Sequence, residues 1–241
     1  MTGDADDDDR GDLVTTHAPD ASLGKPLAVR LFLGLFVTLA IAGASAFLLQ
    51  LFVLELVRVS SNSMWPGVGP DALLLSYRHG TPERGDLVVL QTPEGKDQVR
   101  RVVALPGDRL RIADSTPVLN GKPAAREEQR RVTLLGRPAR IFAETIGDRR
   151  YEVLDIDGRR AHDMPPNRPP AGVSKSTAPP PPLRVVTANG ASGGTEYLIE
   201  GGVYVLADHR DDASDSRFYG VVPKDRLRGV IVRVIATGRA P

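Results

Sequence analysis

Cysteine is absent from the 241 residues, which excludes disulfides, thiolate metal sites and a cysteine nucleophile. Charge of one sign is not in excess either. The formal net charge is +1, so the whole-chain balance carries no nucleic-acid signature. Aromatics are few, and Trp65 is the only tryptophan. No internal repeat is visible. No His/Asp/Glu cluster has metal-ligand spacing, so no metal is expected. There is no phosphate-cradling glycine loop, and the Gly-Asp dipeptides are turn signals. What the chain does have is 20 prolines and 24 glycines, pointing to many turns and at least one structureless stretch. Its length suits one medium or two small domains.

Residues 1–24 are polar and acidic, with Asp4, Asp6, Asp7, Asp8, Asp9 and Asp12 leaving little to bury. This predicts a disordered tail. Lys25 and Arg30 then precede Leu31 to Leu54, a run without a charged side chain. At helical rise the run extends about 36 Å, enough to cross a hydrocarbon core of roughly 30 Å. A core helix would carry a polar stripe, and a cleaved leader has a shorter apolar stretch of roughly 7–15 residues. The expectation is therefore a transmembrane anchor over 25–56. Lys25 and Arg30 favour a cytoplasmic N-terminus, with the remainder on the outer side of the cytoplasmic membrane.

From Val57 onward short apolar runs alternate with Gly, Pro and Asp. Strands are expected at Leu73 to Tyr77, Asp86 to Gln91, Val99 to Leu105, Arg109 to Ile112, Tyr151 to Ile156, Tyr197 to Ile199, Val203 to Leu206, Tyr219 to Val222 and Val230 to Ala236. Asn120-Gly121 reads as a tight hairpin turn. Ala124 to Arg150 is charged and fits no single pattern. Met164 to Pro182 is proline-rich and excludes helix or central strand, and Ala191 to Thr195 is Gly/Ser-rich. The predicted fold is mainly β behind an N-terminal transmembrane helix. A β domain of 57–112 and 202–241 is interrupted by a long inserted region, 113–201, with a Pro-rich linker.

Four segments stand out in order. They are Ser61-Asn62-Ser63-Met64-Trp65-Pro66, then Arg84-Gly85-Asp86-Leu87-Val88-Val89, then Arg100 to Asp108 (ending Leu105-Pro106-Gly107-Asp108), and finally Asp208 to Arg217 followed by Tyr219-Gly220-Val221-Val222-Pro223. Alone, each reads as a turn or a strand. Behind an N-terminal anchor, the set resembles bacterial type I signal peptidases, membrane-anchored serine proteases that remove signal peptides. The resemblance covers the anchor and roughly residues 57–112 and 202–237.

It implies that Ser63 is the nucleophile and that Ser61 supplies an oxyanion-hole hydroxyl, with Met64 beside them for substrate. A backbone N–H plus a fixed hydroxyl can lower such a barrier by a few kcal/mol. Asp208, Arg210, Asp215 and Arg217 fall in the supporting positions, Asp215 with Arg217 as an ion pair. Trp65 suits either a lipid interface or an ordinary core.

The chain departs from the family at the general base. The family's lysine position holds Arg100, and a guanidinium cannot practically be deprotonated in a protein. It can still orient Ser63 or bind a carbonyl, or simply face solvent. The Ser that helps hold that lysine is Ala213 here, and Ser214 substitutes only if the loop shifts. Ala207 and His209 replace a Gly and an Asn. Ser60, Asn62 and Gly67 replace a usual Pro, a small residue and a Thr. The remaining candidate bases are Lys96, about 13 Å along a strand from Arg100, His209, and His79 in an exposed turn.

The resemblance thus implies a signal-peptide endopeptidase of the cytoplasmic membrane, with signal peptides of secretory precursors and the lipid bilayer as partners and no cofactor. The alternatives are a catalytically inactive relative that binds signal peptides or membrane partners, and a tethered scaffold working through its insertion.

Overall fold

The computed structural model of the chain describes residues 26–157, 183–187, 195–211 and 213–239. The acidic tail, the Pro-rich stretch Met164 to Pro182 and Ala191 to Gly194 lie outside them. Two compact units are present, Met1–Ala46 and Phe47–Pro241.

The apolar run forms α1 (Leu27–Phe52). Leu, Phe, Ala and Val dominate it, and Leu27–Leu48 is long and apolar enough to cross a membrane. Its side chains from Leu27 to Leu48 are exposed on every face. A helix that is apolar all round has no face to turn to water, which suits lipid.

The second unit is mainly β. In chain order its first strands are β1 (Leu54–Arg58), β2 (Leu73–Tyr77), β3 (Leu87–Gln91), β4 (Asp97–Ala104), β5 (Arg109–Ala113), β6 (Thr116–Leu119) and β7 (Lys122–Pro123). Then come β8 (Ala125–Leu134), β9 (Arg137–Ile146), β10 (Arg149–Ile156), β11 (Arg184–Thr187), β12 (Glu196–Leu198) and β13 (Gly202–Leu206). A one-turn helix α2 (Ser216–Tyr219), then β14 (Val222–Pro223) and β15 (Leu227–Ala236), complete it. A seven-stranded sheet has the order β1-β2-β15-β3-β4-β13-β14; a five-stranded sheet runs β11-β12-β5-β6-β7; a meander runs β10-β9-β8.

Alternation and turn chemistry explain most of these elements. Asn120 and Gly121 both have positive φ, 51° and 79°, in the two-residue turn that pairs Leu119 with Lys122. Gly229 sits where β15 crosses β2: an added Cβ would lie 2.3 Å from Ser76 Oγ, so only glycine fits. Val88, Leu90, Val102 and Val205 are fully buried between strands of the large sheet. Each such side chain stabilises the fold by about 1.5–3 kcal/mol.

Two segments differ from expectation. Tyr219 belongs to α2 rather than to a strand, because the Asp215 side chain caps that turn by accepting from Arg217 N–H at 3.0 Å. Ala124 to Arg150, unassigned above, supplies β8 and β9, a hairpin with charged residues along its exposed side.

Residues 113–201 also reach the large sheet's loops. Leu154 N–H donates to Asp208 O at 2.9 Å and Leu154 O accepts from Arg210 N–H at 3.0 Å. Trp65 packs against Leu134, Ile141, Leu154 and Ile156, as a core aromatic.

Candidate active site

Ser63 lies in the loop between β1 and β2. Its neighbour Met64 anchors that loop from below, fully buried among Val59, Val68, Leu74 and Val99. A Met side chain so placed cannot itself meet a substrate; what Met64 can present is backbone. Ser63 is 6% exposed. Its Oγ lies 3.0 Å from Ser61 Oγ.

Arg100 comes to this hydroxyl from β4. Its backbone register, opposite Val88 of β3, turns the side chain to the Ser63 loop. Nη1 donates to Ser63 Oγ at 2.9 Å and to Val99 O at 2.6 Å. Nε and Nη2 both donate to the Ser214 carbonyl, at 2.9 and 2.7 Å. The holder is therefore Ser214's carbonyl, not its hydroxyl. The methyl of Ala213 packs instead against the Met64 cluster.

The side-chain partners of Ser63 Oγ among the described residues are thus a hydroxyl and a guanidinium. The other candidates stand elsewhere. Lys96 is exposed in the β3–β4 turn, tied through its backbone to Thr92. His79 is exposed beside Tyr77. His209 is buried and donates its backbone N–H to Ser63 O at 3.1 Å, which fixes the Ser63 backbone without touching the hydroxyl proton.

The charged residues of the last segment brace this arrangement. Arg217 holds Asp215 by two parallel hydrogen bonds, 2.9 and 2.8 Å, both groups buried. Burial pushes the Asp215 carboxyl up, but the Arg217 guanidinium and the Ala207 N–H outweigh it and hold the acid below its usual range. Asp208 is gripped the same way by Arg101, at 2.7 and 2.5 Å. Burial opposes the Arg101 charge, and the Asp208 carboxylate overcomes it, raising the group.

Arg210 pairs with Glu144 of β9, both fully buried, and Glu144 also accepts from Tyr151 O–H at 2.8 Å. The Tyr151 phenol is pushed well up by burial and by the Glu144 charge. Its ring lies 3.9 Å under the Arg101 guanidinium.

In the turn between β4 and β5, Asp108 ties two of the sequence segments together. It accepts from Arg84 at 2.8 and 2.6 Å, from Leu105 N–H at 2.9 Å and from Asn120 at 3.0 Å. Ser61, Ser63 and Arg100 therefore meet, and Asp208, Arg210, Asp215 and Arg217 support the loop behind them. Arg101 and Glu144 were not singled out from the sequence. Arg101 had a signal, an arginine pair beside the motif; Glu144 had none. No group of described residues has the makings of a metal site.

A family model matched over most of the chain shows its family. A family model described as "Signal peptidase, peptidase S26" matches residues 32–236, the middle region included. Signal peptidase IB of Staphylococcus aureus (strain Mu50) is 24% identical over 199 residues, 81% of this chain and 84% of that protein. Signal peptidase I of Rickettsia bellii (strain OSU 85-389) is 28% identical over 149 residues, 59% of this chain and 44% of that protein. A solved signal peptidase I from Enterococcus faecalis V583 is 21% identical, with a TM-score of 0.32 over 64% of this chain and 98% of that one.

Proposed function

This chain belongs to the signal peptidase family, peptidase S26, and on that premise we propose that it is a membrane-tethered serine endopeptidase that removes signal peptides with Ser63, slowly, because a fixed cation stands where a titratable amine would take the proton. The supporting observation is the 2.9 Å hydrogen bond from Arg100 Nη1 to Ser63 Oγ.

A guanidinium that donates to a hydroxyl oxygen favours the alkoxide of that oxygen, since the negative charge strengthens the hydrogen bond. It does not accept the proton. In this reading the Ser63 proton leaves to solvent hydroxide, with Ser61 as its neighbour, and Ser63 Oγ bonds to the carbonyl carbon. Ser61 O–H and backbone N–H steady the oxyanion. The C–N bond breaks, the amine takes a proton from water, and a second water hydrolyses the acyl-Ser63 ester. Substrate is an extended segment with small residues at the first and third positions before the bond, added as a strand beside the site. α1 holds the β unit at the outer face of the cytoplasmic membrane, with the acidic tail inside.

A second reading rests on the partners of Ser63 Oγ among the described residues, a hydroxyl and a guanidinium, neither of which takes up a proton as a base: the site then binds signal peptides without cutting them. Incubating full chain and Ser63→Ala with a secretory precursor separates the two. Cleavage by the wild-type chain alone establishes the endopeptidase. Binding of the signal peptide with no cleavage establishes the silent relative.

A further inference from the structure

Away from Ser63, the surface between β10 and β15 holds a groove of 240 Å³ that the proposed chemistry does not use. Four arginines line it, Arg101, Arg149, Arg150 and Arg233, against one carboxylate, Asp86. The charges do not cancel. Arg101 is spent on Asp208. Arg149 meets Asp86 at 3.3 Å, and that carboxylate also accepts from Glu83 N–H at 2.9 Å. Arg150 meets Glu127 at 2.8 Å, but both are more than half exposed, and such a pair is worth little and is readily redirected. Arg233 is exposed and has no ion-pair partner among the described residues.

Next to these cations β15 exposes aliphatic side chains: Val232 is 56% exposed, Val234 38% and Ile235 51%. Val232 and Val234 line the same groove. Guanidiniums grip phosphate oxygens in pairs, and a fatty rim beside them suits a ligand with an anionic head on an apolar body.

We propose that the β10–β15 groove binds an anionic phospholipid, its phosphate held by Arg149, Arg150 and Arg233 and its glycerol and upper acyl carbons lying on Val232 and Val234. The occupant follows from charge and from connectivity. A signal peptide's basic leading end is repelled by this groove. The chain's own acidic stretch, Asp4 to Asp12, precedes α1 while the groove follows it, so a bilayer crossed by α1 separates them. The same helix keeps lipid at high effective concentration. In this respect the proposal rests on α1 as an anchor.

The test uses the full chain in an uncharged detergent. Dihexanoyl phosphatidylglycerol, dihexanoyl phosphatidylcholine and inorganic phosphate are titrated into wild type, Arg150→Ala and Arg233→Ala. The anionic lipid should saturate the groove, bind about tenfold tighter than the zwitterionic one, and lose about fivefold for each guanidinium removed. Equal affinity for both lipids overturns the proposal, as does binding in the variants that matches wild type. Inorganic phosphate binding as tightly as the anionic lipid overturns the lipid assignment. Both arginines are exposed, and unchanged melting of the variants keeps the comparison interpretable. Flotation of wild type with pure phosphatidylcholine vesicles checks the anchor separately: α1 should carry the chain up without any anionic lipid, and the titration judges the groove whatever the vesicles show.

Discussion

Arg100 donates from one nitrogen, Nη1, to both Ser63 Oγ at 2.9 Å and Val99 O at 2.6 Å. The other donors of the fork close on the Ser214 carbonyl. The guanidinium is thus locked by main-chain oxygens on both sides and cannot swing away from the serine. A buried cation with its donors placed on carbonyls is satisfied without a carboxylate in direct contact. It holds Ser63 Oγ by one hydrogen bond, and in the proposed reaction the Ser63 proton must go elsewhere.

Arg100→Lys restores an amine that burial can hold neutral. Its cleavage of a precursor should exceed that of wild type by about two to four orders of magnitude. Ala213→Ser, added to it, should steady the amine and raise the rate further. Product mass by mass spectrometry reads the cut position. A rate for Arg100→Lys no higher than wild type would remove Arg100 from the role of misplaced base.

With no titrating base at Ser63, the wild-type rate should follow hydroxide. It should climb by about tenfold per pH unit through the neutral range, whereas Arg100→Lys should level off once its amine is neutral. Initial rates in a constant-ionic-strength buffer series check this. A wild-type plateau near neutral pH would point to a titrating group that the described contacts of Ser63 do not include.

Ser61→Ala tests the second hydroxyl, 3.0 Å from Ser63 Oγ. Loss of one oxyanion donor lowers kcat by about 10²–10³ with KM little changed. Ser63→Ala should remove cleavage altogether. If Ser61→Ala instead raises KM at constant kcat, its hydroxyl binds substrate uniformly and does not serve the transition state.

Acid sensitivity follows from Asp215 and Asp108. Burial raises each, but Arg217 for one and Arg84 for the other bring both below the ordinary value of 3.8. The unfolded chain therefore binds more protons than the folded one in that range. Their stabilisation is fully present above about pH 4 and is lost as pH falls through the depressed folded values. Asp108→Asn should melt lower at neutral pH and lose less on acidification than wild type, read by thermal unfolding from pH 7 down to 3. An acid slope identical to wild type would assign the loss to other carboxylates.

Much of this was legible from sequence because local chemistry decided it. The strand spans Leu73 to Tyr77 and Val203 to Leu206 follow apolar runs that tertiary packing reinforces, and Asn120-Gly121 dictates its own turn. Ser61, Ser63 and Arg100 carried motif positions. The β8–β9 hairpin did not announce itself, because Arg126, Glu128, Arg130 and Arg131 crowd a strand that has only one buried neighbour layer. The charges that satisfy one another across β8–β10 hide the period-two pattern. Ser214's part was hidden for another reason: it acts through a carbonyl, which every residue has. Glu144 lies 66 positions from Arg210, and no spacing rule connects residues that meet only when two sheets close.

That pair supplies the last prediction. Arg210 reaches Glu144 and the Ser115 carbonyl, and its own carbonyl accepts from Arg217 at 2.7 Å. The residue before it, His209, holds the Ser63 backbone. Glu144 therefore fixes the loop behind Ser63 from a strand of the middle region. Glu144→Gln leaves a buried guanidinium without its counter-charge and should cost about 3–5 kcal/mol of stability. Arg210→Met should cost a similar amount for the mirror reason. The double variant Glu144→Gln/Arg210→Met should cost clearly less than the sum, because neither charge is then stranded. Urea unfolding of the four chains measures the coupling directly. Additive losses would mean that the two residues stabilise separate parts of the fold, and the middle region would then have no hold on the Ser63 loop through this contact.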